Sequence, residues 1–140
     1  MTAEVFLDTN IFIYAASSAA EDSAKQSRAE DIILQHRFGV SSQVLQEFIS
    51  NALRKKKLGI SEHGIDAFLT LTSKSQVLPV THQLVVEATI LRRRYKLSHW
   101  DATIVAAAQK LGCKTLYSED FSDGQTIGDL KIVNPFVELG

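Results

Sequence analysis

Acidic side chains stand at four separated places in the chain where a parallel sheet and its helices would present them together. Asp8 closes the apolar run "EVFLDTN", Glu47 lies within "SSQVLQEFISNALRKK", Asp101 follows Ser98 in "SHWDATIVAAAQKLG", and Glu119 and Asp120 follow "KTLY". Carboxylates a few ångströms apart raise each other's pKa, and a divalent cation reverses that cost. Mg2+ and Mn2+ favour oxygen ligands and keep waters that serve as nucleophiles or carry substrate phosphate. One or two such ions at a carboxylate cluster suit phosphodiester cleavage, because they offset charge on the attacking and leaving oxygens. The single cysteine, Cys113, excludes a disulfide framework and a cysteine-rich zinc site; His36, His63 and His82 show no ligand spacing, and His99 is read as a polar surface residue.

Each acid also has a simpler reading. Asp101 sits three residues after Ser98, the spacing of a capping box. Glu47 can pair with Arg54 on a helix surface, "SEDFSDG" reads as a turn around Asp123-Gly124, and Asp8, Thr9 or Asn10 can cap the helix that follows. A shared acidic site accounts for all four positions at once; the simpler readings do so one at a time.

The elements that would position these acids follow from patterning. Val5 to Leu7 are apolar without alternation, which fits a strand covered on both faces. A helix is predicted over "IFIYAA", a polar helix over "SAAEDSAKQSRAEDIILQH", and a strand at Val40 with Ser41 or Ser42 capping the next helix. That helix, from about Gln43 to Lys57, has Val44, Leu45, Phe48, Ile49, Ala52 and Leu53 on one stripe, with Glu47 opposite, and Gly59 stops it. Further helices are predicted over "SEHGIDAFLTLTSK", "THQLVVEATILRRRYKL" (capped by Thr81) and "SHWDATIVAAAQKLG"; strands over "SQVLPV", "CKTLYSEDF" and "LKIVNPF". In the last of these helices Trp100, Ile104, Val105, Leu111 and the alanines are expected in the core, with base stacking as the lesser alternative for Trp100. Strands alternating with helices indicate an α/β domain with a parallel sheet, and ligands of such sheets bind beyond the carboxyl ends of the strands.

A length of 140 residues fits one domain, 1–140, and 45% hydrophobic residues with 2 prolines mark an ordered globular chain. The net charge of −1 gives no global basic field, so any nucleic acid must meet local patches. Two such patches exist, "RKKK" beginning at Arg54 and Lys55, and "RRR" at Arg92, Arg93 and Arg94. Both close helices, where cations complement the dipole, and both are also candidates for a phosphate track. No apolar run approaches the roughly 20 residues needed to span a bilayer, and the lone cysteine suits a reducing compartment. A cytoplasmic protein without membrane contact is expected, with Cys113 as a buried small hydrophobe.

"FLDTNIFIYA", "SSQVLQEFISNALRKK", "LSHWDATIVAAAQKLGC" and "LYSEDFSDGQ", in that order, resemble the PIN-domain ribonucleases, in particular the VapC type of toxin from toxin–antitoxin pairs. The resemblance implies a three-layer α/β/α sandwich with a mainly parallel sheet. It also implies endonucleolytic cleavage of single-stranded RNA with Mg2+ or Mn2+. Carried over by position, Asp8, Glu47, Asp101 and Asp120 are the catalytic and metal-binding acids, with Glu47 acting directly or through water. Ser118 precedes Asp120 by two, which favours Asp120 over Glu119 as the last ligand, and Thr9, Asn10 and Ser118 become orienting neighbours. The resemblance further implies an antitoxin partner, with an arginine entering the acidic site, and homodimers. The alternative is a PIN-like module that binds RNA or protein without cutting. An aspartyl-phosphate enzyme is disfavoured, because its second aspartate would fall at Asn10.

Overall fold

The computed structural model describes residues 2–139. β1 (Val5–Leu7) leads into α1 (Thr9–Ala16), a 3-10 turn at Ala20–Asp22 and α2 (Ser23–Gln35). β2 (Phe38–Ser41), α3 (Ser42–Arg54), a 3-10 turn at Lys56–Leu58 and α4 (Glu62–Thr72) come next. They are followed by β3 (Gln76–Leu78), α5 (His82–Tyr95), α6 (His99–Lys110) and β4 (Thr115–Tyr117). β5 (Thr126–Ile127), β6 (Leu130–Val133) and a 3-10 turn at Val137–Leu139 complete the order.

The strands form one sheet in the order β3-β2-β1-β4-β6-β5, parallel except for β5 against β6. Helices cover both faces: α1 packs on α2 and α3, and α5 pairs with α6. This is the parallel α/β sheet that the alternation predicts, in the three-layer α/β/α sandwich that the resemblance implies. All three residues of β1 are buried, which explains their lack of alternation. Phe48 of α3 stacks on Phe68 of α4 at 3.9 Å, and Phe12 of α1 meets Phe68 edge-on at 5.1 Å. These rings fix the helical layer that carries Glu47. Among the described residues no helix is long and apolar enough to cross a membrane.

The caps follow the sequence signals. Ser41, Ser61, Thr81 and Ser98 each accept a hydrogen bond from the backbone N–H three residues on, closing the first turns of α3, α4, α5 and α6. Three expectations change. The α3 helix ends at Arg54, not Lys57, because the chain tightens into a 3-10 turn that buries Leu58 and closes on Gly59 at a φ of 65°. Leu53 is exposed at the margin of its stripe. Trp100 is 63% exposed, since the first turn of α6 lies ahead of the stretch Ala102 to Ala108 that enters the core. The two-residue strand β5 lies beyond the expected turn at Asp123-Gly124.

Candidate active site

The β1–β4 register builds the centre of the site. Leu7 pairs with Tyr117, so the next residues, Asp8 and Ser118, emerge side by side at the carboxyl ends of the two central strands. The Asp8 N–H donates to the Tyr117 carbonyl at 3.0 Å, which locks the pair. Asp8 is also the N-cap of α1, so capping and a place in the site coexist in one residue. Its Oδ1 accepts from the Thr9 N–H at 2.7 Å and its Oδ2 from the Ser118 hydroxyl at 2.7 Å. Ser118 Oγ accepts in turn from the Asp120 N–H at 3.1 Å, and so ties the two aspartates together.

The other acids gather around this pair. The Thr9 hydroxyl donates to Glu47 Oε1 at 2.9 Å, linking the start of α1 to the polar face of α3. Glu47 is therefore not the partner of Arg54, whose guanidinium donates to Asn51 Oδ1 at 2.7 Å. Asp8, Glu47 and Asp120 line one cleft of about 610 Å3 together with Thr9 and Asn10. Asp101 is absent from that lining but lies within range of the charges of both Asp120 and Glu47. Ser98 caps the helix at the Asp101 N–H, 3.1 Å away, so here too capping and proximity to the acids coincide.

Electrostatics mark the cluster as strained. Burial pushes Asp8 up to about 7 against the ordinary 3.8, and the charges of Asp120 and Glu47 add to the rise. Hydrogen bonds from Ser118 and Thr9, which favour the ionised carboxylate, oppose it. Asp101 is raised by burial and by Asp120 and Glu47; a hydrogen bond from Ser98 resists. Asp120 is raised by burial and by Glu119, while a hydrogen bond from Asn10 and the charge of Lys55 pull it back. Three carboxyls in one place are thus shifted upward, by burial first and by one another's charge second, as perturbed groups at functional sites commonly are.

Glu119 borders the same cleft but is held differently. Its Oε1 accepts from the Tyr14 hydroxyl at 2.7 Å and its Oε2 from the Lys25 ammonium at 2.9 Å, so both oxygens are engaged. Tyr14 and Lys25 were not singled out from the sequence. Tyr14 was within reach of helical spacing, since Asn10, Ile13 and Tyr14 share one face of α1 and all line the cleft. Lys25 joins through a contact 94 residues away in sequence, for which no local signal exists. Of the basic candidates, Lys55 borders the cleft, as does Lys57, whereas Arg92, Arg93 and Arg94 occupy the last turn of α5 and do not line it.

The donors available suit a hard divalent cation: the cleft is lined by the carboxylates of Asp8, Glu47 and Asp120, the Thr9 hydroxyl and the Asn10 amide, with no His or Cys among the described residues that line it. Asn10 Oδ1 is buried without a hydrogen-bond donor, an orphaned acceptor of the kind a cation or its water would satisfy. Among the described residues no three His, Cys, Asp or Glu side chains converge closely enough to hold one ion.

A PIN-domain family model matches residues 5–122, which takes in Asp8, Glu47, Asp101 and Asp120. The chain belongs to the PIN-domain family. No curated protein is a significant sequence match to it. Solved structures share the fold of this PIN domain at low identity. A toxin–antitoxin complex from Klebsiella pneumoniae is 20% identical with a TM-score of 0.68, over 94% of this chain and 97% of the other. The sarcin–ricin-loop-cleaving toxin VapC20 of Mycobacterium tuberculosis is 21% identical with a TM-score of 0.66, over 83% and 89%. VapBC2 of Rickettsia felis, bound to a promoter DNA fragment, is 20% identical with a TM-score of 0.65, over 91% and 96%. The resemblance to VapC-type PIN proteins read from four sequence segments thus extends to the fold.

Proposed function

We propose that the protein is a metal-dependent endoribonuclease that hydrolyses phosphodiester bonds in single-stranded RNA and serves as the toxin of a toxin–antitoxin pair. The observation that carries this reading is the meeting of Asp8, Glu47 and Asp120 in one cleft, with Asp101 in electrostatic range and three of the four carboxyls raised. Asp8, Asp101 and Asp120 would hold Mg2+ or Mn2+, with Glu47 as a further ligand or water holder. Bound there, one or two ions would acidify water and offset charge on the phosphate oxygens.

The chain's own groups supply the rest. Ser118 and the Thr9 N–H favour the ionised, acceptor-only form of Asp8 against the burial that raises it. Thr9 and Gln43 hold Glu47, at 2.9 and 3.5 Å, where it can orient the attacking water and take its proton. Asn10 steadies Asp120, and Lys55 and Lys57 bring positive charge to the rim for the RNA phosphates. Glu119, held by Lys25 and Tyr14, shapes the wall of the cleft and is a weaker candidate for the metal. An antitoxin segment with an arginine that enters the cleft would pair with the carboxylates and block the substrate. Solved relatives include a toxin–antitoxin complex, which supports such a partner.

Cleavage of single-stranded RNA with Mg2+ or Mn2+, compared with EDTA, tests the reading. Asp8→Asn is expected to lower the rate at least about a hundredfold. Equal cleavage by both proteins, or none by either with both metals, would overturn it.

A further inference from the structure

Trp100 is the chain's one tryptophan, and its exposure of 63% is high for the largest aromatic side chain. It is nonetheless held. The His99 ring meets the indole edge-on at 4.8 Å, and Gln43 Nε2 donates to the Trp100 carbonyl at 3.2 Å. The indole borders an open groove of about 570 Å3 that also runs past Gln43, Val80, Val85 and Thr103. Glu47 lines both this groove and the acidic cleft, so the two join around one side chain.

Gln43 pins this turn to α3: its amide nitrogen faces Glu47 Oε2 within 3.5 Å and the Trp100 carbonyl at 3.2 Å. Its Oε1 is buried, so it is the indole that the groove offers to a ligand. An exposed π-face held in place beside a site for phosphodiester chemistry matches the needs of an unstacked nucleobase, whose flat face stacks on aromatic side chains.

We propose that this groove is a base-binding subsite, in which an unpaired base of the RNA next to the scissile phosphodiester stacks on Trp100. The inference rests on the nuclease reading, and deepens it by naming where the substrate's base sits. Glu47 then stands between the chemistry and the base, so seating the base and placing the phosphate become one event.

Because Trp100 is the only indole, its emission reports the subsite directly. The Asp8→Asn protein with Mg2+, which leaves RNA intact, is titrated with a short single-stranded oligoribonucleotide and with an abasic oligomer of equal length. Anisotropy of an end-labelled copy reports binding independently. RNA is expected to quench the indole as it binds, and the abasic oligomer to bind without quenching. Trp100→Ala, introduced into the same protein, should weaken RNA binding roughly five- to a hundredfold while sparing the abasic oligomer, and Trp100→Phe should keep most of the affinity. An unchanged melting temperature checks that the truncated surface residue has not disturbed the fold. Bound RNA that leaves the emission unchanged overturns the subsite alone. So does equal weakening of both oligomers, or emission that follows protein dilution instead of RNA, which would assign the groove to a second copy of the chain. No RNA binding by anisotropy, together with no cleavage by the wild type, overturns the nuclease reading and the subsite with it.

Discussion

Asp8 and Cys113 lie at opposite ends of the central parallel strands, each 4% exposed, and burial raises both: Asp8 to about 7, Cys113 to about 11. Cys113, just ahead of β4, is raised by burial alone, and its thiol makes one long contact, 3.8 Å to the Ala3 carbonyl. Nothing around it favours a thiolate, so it stays neutral and packs as a small hydrophobe. Asp8, just past β1, is surrounded by the opposite arrangement. Two donors serve only its ionised form, while Asp120 and Glu47 press against that form. Burial by itself makes a titratable group silent; burial with donors aimed at the charge and like charges beside it makes a group poised to change its charge state.

The comparison can be broken first at Ser118. Ser118→Ala removes a donor from Asp8 Oδ2 and the acceptor of the Asp120 N–H. RNA cleavage should fall about 10–100-fold, and the acidic limb of its pH profile should move upward as Asp8 becomes harder to ionise. A lowered rate with an unmoved pH profile would mean that Ser118 acts only on the fold. The smaller effect belongs to the silent end of the sheet. Cys113→Ala should cost on the order of 1 kcal/mol in denaturant unfolding and leave cleavage and its pH profile unchanged. A shifted profile there would show that the two ends are coupled.

Much of the fold is legible in the sequence because its signals are local. Serine and threonine caps mark the starts of α3 to α6, and the unbroken apolar run of β1 announces a strand covered on both faces. The alignment of Asp8, Glu47, Asp101 and Asp120 is legible only as a pattern, since each alone reads equally well as a cap, a surface residue or a turn. What the sequence hides are contacts that span the chain. The Lys25 and Tyr14 clamp on Glu119 crosses 94 and 105 residues, and no local spacing encodes it. Trp100 misleads for a related reason: its helix is apolar enough to imply burial throughout, yet its first turn lies ahead of the buried stretch Ala102 to Ala108 and leaves the indole exposed. The two-residue β5 is too short to carry a period of its own.

The central claim is that the buried charge of Asp8 is a cost which a divalent cation removes, and melting temperature against pH with and without Mn2+ tests it most directly. The folded-state value of about 7 lies above the ordinary 3.8, so the folded protein holds the proton more tightly than the unfolded chain. The corresponding stability is present in full below about pH 4 and is lost as pH rises through about 7; raised values at Asp101 and Asp120 act in the same direction. In EDTA the wild type should therefore lose stability relative to Asp8→Asn across this window, on the order of a few kcal/mol. Mn2+ at pH 8 should raise the wild-type melting temperature and close most of the gap, while moving Asp8→Asn little. Parallel pH curves for the two proteins in EDTA, or equal Mn2+ shifts in both, would contradict the account.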